Sequence, residues 1–362
     1  MEDAHVLRIS IKKVQIGMVS AEEVRNSSGL LLIPKDTAIN QNHLFRMKLY
    51  QIFSLLIYAT EELNLFDDSH IQPQENEILS KDIKFINFVE SYSTTSVEIK
   101  TQLLNLINDN SSSITNLYDF CDDLLLKLNN TSDLFSYLYF FRPTEIFTYT
   151  HSLNVGMICN IFGRWLKFSD QMIKEITIAG ILHDIGKINI DIEILNKPGR
   201  LTPKEFNIIK AHPLAGFELL KSQEIPYGIK MAVLQHHEKF DGTGYPFGFR
   251  KEQIHDFAKI VAIADMYDGM TSDRSYHKRI SPFKVIGMFE KEALQVLDPT
   301  LLSTFLENIA RHYIGHSVIL SSGESGKIVF INRKSPSRPL IQVGSKIYNL
   351  EFEDSLDVSE VS

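Results

Sequence analysis

Seven side chains between His151 and Asp265 constrain this chain more than anything else in it: His151, His183-Asp184, His212, His236-His237 and Asp265. Imidazoles and carboxylates together are what a dinuclear hydrolytic metal site needs. Nearly all of them fall where a helical pattern ends. Met172, Ile173, Ile176, Ala179 and Leu182 form a helical stripe that runs out at His183-Asp184, just before Gly186. Neighbouring residues on a helix point about 100° apart, so this pair can serve one metal while the carboxylate also reaches a second. Thr202-Pro203-Lys204-Glu205 combines a cap, a first-turn proline and a reciprocal glutamate. The helix it opens runs through Phe206, Ile208 and Ile209 to His212, where Pro213 is expected to end or kink it. Residues 231–235 are apolar and helical, and they deliver His236-His237 to a glycine-rich stretch, 238–246, where the backbone can turn. Residues 257–264 read as a buried helix with Asp265 at its end, and a carboxylate there needs a cationic partner. Asp268, one turn on, is placed to orient a ligand histidine as an acceptor. A lone histidine beside a turn is usually a surface residue; it is the set that points to a metal cluster.

Around this set the patterning changes three times. Residues 1–72 read as a small β-rich module. Alternation over 6–11, a break at Gly17 and turns at Ser27-Ser28-Gly29 and Pro34-Lys35-Asp36 precede a helix capped by Asn40 or Asn42 and a closing strand at 55–58. Residues 73–131 read as a helical linker after a polar stretch at 66–77. Its stripe of Val97, Ile99, Leu103, Leu104 and Ile107 resumes from Leu117 to Leu128. It is either a packed hairpin or a connecting pair that carries a signal or meets a second protomer; such stripes are usually core. Residues 132–315 are helix after helix. Residues 316–362 hold short strands at 318–320, 327–331 and 340–343, then an acidic tail from Glu351 that is expected to fray. The fold class is therefore mainly α, with β-rich additions at both ends.

Composition narrows the function. The 37 Lys and Arg against 45 Asp and Glu leave a net charge of −8, which argues against nucleic acid as a partner. A phosphate-bearing small substrate would need a local basic pocket instead. The two cysteines, Cys121 and Cys159, lack the spacing of a thiolate metal site. No apolar run reaches the ~18 residues of a membrane span, and the start lacks the pattern of a signal peptide. A cytoplasmic protein is expected.

Five strings now align with one family. His151 in THSLNV, HDIGK at 183–187, NKPGRLTPKEFNIIKAHP at 196–213, QHHEKFDGTGYP at 235–246 and ADMYDGMTSDRSY at 264–276 resemble the HD-GYP family over roughly residues 145–312. VQIGMVSAEEV and GLLLIPKDTAI resemble a small domain that precedes HD-GYP domains. GHSVILSSGESGKIVFINRKSPSRPLIQV is similar to a β-extension that follows them. The resemblance implies an all-helical HD metallohydrolase, a bacterial phosphodiesterase that hydrolyses cyclic di-GMP to pGpG, with a second cut to GMP left open. It implies that all seven residues ligate metal and that Asp184 bridges two ions. It also implies that Lys187 contacts the scissile phosphate and that Arg274 grips a phosphate or a guanine edge. Tyr245 lies beside the site, on a loop through which the family meets GGDEF-type signalling partners.

Three departures refine this. Three-metal members carry a glutamate four residues before the first histidine; here Phe147 stands there, and Glu145 lies on another helical face. Two divalent ions are expected, iron or manganese, because the donors are nitrogen and oxygen without sulfur. His277 stands where a basic residue usually follows Arg274, leaving Lys278 or Arg279 to substitute; Ser275 replaces a common proline. With Asp184 and Lys187 as the catalytic pair and Lys187, Tyr245, Asp268, Arg274 and Lys278 toward substrate, water activated between the ions attacks phosphorus. Two rival readings stay open. One is a cyclic di-GMP sensor or protein-interaction module with little turnover, for which His277 is the hint. The other is a hydrolase of another cyclic dinucleotide or nucleotide. A homodimer through 79–130 is compatible with the sequence, without a strict heptad.

Overall fold

The computed structural model describes residues 6–10, 14–26, 29–50, 52, 54–58, 83–108, 114–128, 131–140, 147–195, 197, 201–271 and 280–361. In the N-terminal part, β1 (Val6–Ser10) pairs antiparallel with β4 (Ser54–Tyr58), and β2 (Val24–Arg25) with β3 (Leu31–Ile33). Between them lies α1 (Gln41–Leu49), whose start is capped by Asn40: its Oδ1 accepts the His43 amide at 2.9 Å. Ile9, Val24, Leu32, Ile39, Leu44 and Ile57 form a core separate from the main one. The module is joined to the rest by Phe45 packing edge-on against Phe289 and by an Arg46–Glu292 ion pair.

The helical series follows as α2 (Ile83–Asn108), α3 (Thr115–Leu126), α4 (Thr131–Phe140), α5 (Phe147–Trp165) and α6 (Asp170–Leu182). The hairpin of α2 and α3 buries Phe88, Tyr92, Ile99, Leu103, Leu117 and Leu124 in the main core. Two members of the expected stripe are not in it: Val97 is 56% and Leu104 37% exposed. The buried face of α2 is rotated, because it follows Phe88, Tyr92, Ile99 and Leu106, on the side facing α5. α5 and α6 pack closely because two glycines face each other. A Cβ on Gly180 would stand only 2.9 Å from the Gly156 Cα. That approach sets His151, near the start of α5, beside His183, just past the end of α6.

After a 3₁₀ turn (Ile185–Asn189) and the short α7 (Ile192–Leu195) come α8 (Pro203–Lys210), α9 (His212–Leu220), α10 (Tyr227–Gln235) and α11 (Asp256–Thr271). The capping box at Thr202 and Glu205 forms as expected, with both reciprocal bonds. As expected, the arriving helix ends before Pro213, at Lys210, and His212 stands at a helix terminus. Pro213 also occupies the first turn of α9, where its missing N–H costs nothing, so His212 is the first residue of that helix. α12 (Pro282–Glu292) and α13 (Pro299–His312) complete the bundle.

The C-terminal part is a five-stranded antiparallel sheet of β5 (Ser317–Leu320), β6 (Ser325–Phe330), β7 (Leu340–Val343), β8 (Lys346–Asn349) and β9 (Val358–Val361), ordered β8-β7-β6-β5-β9. The expectation of a frayed acidic tail is therefore overturned. β9 pairs with β5, and Val358 and Val361 are 2% and 3% exposed; two buried valines and a ladder of backbone bonds outweigh the acidic run before them. Among the described residues no helix is long and apolar enough to cross a membrane.

Candidate metal centre

Three of the histidines are aimed by one device. Each stands at or just past a helix end, where the last carbonyls lack intrahelical partners. His183 Nδ1 donates to the Gly180 carbonyl at 2.7 Å, His212 Nδ1 to that of Ile209 at 2.7 Å, and His236 Nδ1 to that of Val233 at 3.0 Å. A carbonyl only accepts, so in each ring Nδ1 carries the proton and Nε2 presents a lone pair. His151 is aimed by a carboxylate instead. Its Nδ1 meets Asp268 Oδ2 at 2.7 Å, and its Nε2 faces Asp265 Oδ1 at 3.0 Å.

Asp184 sits where these lone pairs converge. Oδ1 is 3.2 Å from His212 Nε2 and 3.7 Å from His236 Nε2; Oδ2 is 3.3 Å from His183 Nε2 and 3.9 Å from His151 Nε2. The donors fall into two groups whose atoms lie within 4.8 Å of one another: Asp184, His212, His236 and His237, and His151, His183 and Asp265. His183 Nε2 and Asp184 Oδ1 are buried without a hydrogen-bond partner. An unsatisfied acceptor pair of this kind is costly in a protein interior unless something positive meets it. Lys187 already supplies part of that: its Nζ lies 2.5 Å from Asp184 Oδ2. Seven N and O donors with orphaned lone pairs among them fit bound metal.

The electrostatics agree. Burial opposes ionisation of Asp184, but His183, Lys187 and the contact with His212 hold its carboxyl well below the usual range. Burial also opposes ionisation of Asp265, and His151 outweighs it in the same way. Burial first, and then the neighbouring histidines, lower His236 to about 4 and lower His237, and burial with Lys187 lowers His212, so all three are neutral near pH 7. His151 is the exception. Burial pushes it down, yet hydrogen bonds to Asp265 and Asp268 raise it to about 9.

All seven sequence-derived ligands are thus brought together. Asp265, expected at the end of its helix, lies inside α11, which runs on to Thr271 because the buried run continues through Tyr267 and Met270. Lys187 reaches Asp184 from the 3₁₀ turn. Tyr245 is 6% exposed and lies tilted against the His237 ring with centroids 4.7 Å apart, while Lys210 Nζ lies 5.0 Å from the Tyr245 ring centroid. Asp268 had two expected parts, orienter and substrate contact. At 2% exposure, with Oδ2 on His151 and Oδ1 on Asn154 at 2.8 Å, it has the geometry of the orienter. Glu145, the Phe147 side chain, Arg274, His277, Lys278 and Arg279 lie outside the described residues.

The structure adds residues that the sequence reading passed over. Asn154 holds Asp268 and accepts from the Tyr92 hydroxyl at 2.6 Å, so α2 supports the centre from behind. Asn154 follows His151 by three residues on one helix face, a spacing that signals it once His151 is known. Glu238 accepts the amides of Phe247 and Phe249 at 2.7 and 3.0 Å and fixes the GYP loop. Gly244 lets that loop close, since a Cβ would lie 2.4 Å from the Lys239 amide nitrogen.

Residues 129–301 match the HD domain family model. The chain is 36% identical over 203 residues to Cyclic di-GMP phosphodiesterase PA4108 of Pseudomonas aeruginosa, covering 56% of this chain and 49% of that one. It is 34% identical over 212 residues to the Cyclic di-GMP phosphodiesterase of Thermotoga maritima, covering 58% and 55%. It is 30% identical over 177 residues to the 3'3'-cGAMP-specific phosphodiesterase 1 of Vibrio cholerae, covering 46% and 39%. The chain spans about half the length of the first two of these relatives. Over residues 129–301 the chain is similar to the HD domain family.

Proposed function

We propose that this protein is a metal-dependent phosphodiesterase that hydrolyses cyclic di-GMP to linear pGpG and then to GMP. The observation that carries the reading is the meeting of two donor groups at Asp184, with His183 Nε2 and Asp184 Oδ1 buried and unpartnered. Asp184, His212, His236 and His237 would hold one divalent ion, and His151, His183 and Asp265 a second, iron or manganese. When bound, such a pair supplies water activated near neutral pH and positive charge against the phosphoryl oxygens.

The chain's own residues do the rest. The helix-end carbonyls and Asp268 lock the imidazoles in one tautomer, so no reorganisation is needed during reaction. Lys187 exchanges Asp184 for a phosphoryl oxygen of the substrate and brings its charge to the reacting group. Tyr245, tilted against His237, walls the site. Arg274 and Lys278, which precede α12 in the sequence, hold the second phosphate or a guanine edge. The division at residues 72, 131 and 315 belongs to the same reading, supported by the separate N-terminal core. So do a cytoplasmic location, a homodimer, and a GGDEF-type partner at the GYP loop, where Phe247 is 52% exposed and stacks on Phe249.

A second reading is favoured by one relative, whose name specifies 3'3'-cGAMP: the same chemistry on a mixed cyclic dinucleotide. Manganese- or iron-loaded protein is assayed against cyclic di-GMP, cyclic GMP-AMP and simple nucleotides. Linear product from cyclic di-GMP, lost in His183→Ala and Asp184→Ala, is expected. Turnover that survives both substitutions would sink the metal reading; preference for cyclic GMP-AMP would move the substrate to the second.

A further inference from the structure

Away from the metal centre, the N-terminal module, α12 and the C-terminal sheet enclose a cleft of about 560 Å³. That lies within the ~300–1,000 Å³ of small-ligand sites. One wall is a single face of α12. Lys284, Gly287, Met288 and Lys291 line the cleft and recur at the spacing of one helical stripe. Among the described residues Lys284 makes no ion pair, while Lys291 acts electrostatically on the neighbouring Glu290 carboxylate, which also accepts from Ser337. The acid on the lining, Asp357, is neutralised by Arg338, whose remaining guanidinium nitrogens bond the Leu350 and Glu353 carbonyls at 2.9 and 3.0 Å. The lining therefore carries three basic side chains against one acid, with Glu290 behind it beside Lys291.

The opposite wall is the start of α1, where Gln41 and Asn42 bring carboxamides beside Asn40, whose Oδ1 caps the helix. The first amides of a helix lack intrahelical partners and favour anions. Ile16 stands at the rim and is 56% exposed. Gly287 shapes the floor. A glycine inside a helix is destabilising relative to alanine, yet a Cβ here would touch only Ser337, at ordinary distances of 3.4 and 3.5 Å. Packing does not demand glycine at this position; an open floor does.

We propose that this cleft binds a nucleotide. Its phosphate is held between Lys284 and Lys291, whose roots are about 10 Å apart along the helix, so the two stems can close on it from either side. The flat base lies against Ile16 and the Gly287 floor, and the carboxamides meet its edge. Such a ligand bridges all three modules. The proposal is independent of the activity assigned to the metal centre.

GMP, AMP, guanosine and inorganic phosphate are each titrated into the full chain by calorimetry, with and without a chelator. One-to-one binding of GMP or AMP that persists with chelator is expected, with guanosine and phosphate each weaker by about tenfold or more. Lys284→Ala with Lys291→Ala should weaken the nucleotide by about tenfold or more, and Gly287→Leu should abolish its binding. Thermal unfolding checks that each variant is folded; if the double variant is not, Lys291→Glu at the helix surface replaces it. Absence of nucleotide binding, binding lost with chelator, or affinity unchanged in the α12 variants would overturn the proposal. Phosphate binding as tightly as the nucleotide would reduce the cleft to an anion patch and overturn it too.

Discussion

Replacing Gly186 by alanine should disable the metal centre without touching a ligand. Gly186 lies between Asp184 and Lys187 and packs on the first turn of α9. A Cβ there would stand 2.0 Å from the His212 carbonyl oxygen and 2.5 Å from the Gly216 amide nitrogen. Ordinary contact begins at 3.4 Å, and both obstacles are backbone, so the two segments must part by about 1 Å or more. Those segments carry Asp184 and His212, whose Oδ1 and Nε2 lie 3.2 Å apart. Metal sites hold ligand distances to within about 0.2 Å, and a misplacement of ~1 Å can cost about 10²-fold in rate. Overpacking itself costs about 1–3 kcal/mol. Gly186→Ala is therefore expected to lower kcat/KM on cyclic di-GMP by about a hundredfold and to weaken manganese binding. Stability of the chelated protein in urea should fall by about 2 kcal/mol. A folded variant with turnover and metal affinity within about twofold of the parent would refute the claim that this close approach positions His212.

Further expectations follow from the surrounding geometry. Asp268→Ala removes the acceptor that orients His151 and should cost about 10–100-fold in metal affinity, read by manganese titration. The raised pKa of His151, about 9 against an ordinary 6.5, stabilises the metal-free fold fully below pH 6.5, and that stability is lost as pH rises through 9. Metal binding needs the neutral ring, so affinity should rise across the same window by up to about tenfold per pH unit; a flat profile between those limits would contradict the assignment. Thr202→Ala breaks the capping box of α8 and should lower stability by about 1 kcal/mol in chemical denaturation, with turnover nearly unchanged. A loss of activity comparable to that of Gly186→Ala would show that α8, rather than the 3₁₀ turn, sets His212.

The ligand set was legible in the sequence because its members are polar residues at the ends of apolar stripes. A helix end is encoded locally, by Thr202 with Glu205 or by the run-out of the stripe at Leu182, and a histidine there has few uses besides a surface or a site. The strands near 6–10, 31–33, 55–58, 318–320, 327–330 and 340–343 were legible for the same reason, since alternation and turn residues are local, whereas β8 and β9 were not. Less local features escaped. The buried face of α2 could not be assigned from Val97 and Leu104, because which side of an amphipathic helix is covered depends on where α5 lies. Pro213 reads equally as a stop or a start until the next helix is seen.

Residue chemistry and helix periodicity thus determined which side chains could form a centre and which segments deliver them. Only the tertiary structure decided that they meet. The Gly156–Gly180 crossing sets His151 beside His183, the Gly186 contact brings His212 to Asp184, and Asp268 with Asn154 turns the His151 ring. It also decided that the tail ends as a strand rather than fraying, since β9 finds a partner edge on β5. The physical reason is common to these cases. Helix propensity and capping act within a few residues, whereas the separation of two backbones and the pairing of a strand edge are properties of segments far apart in the chain.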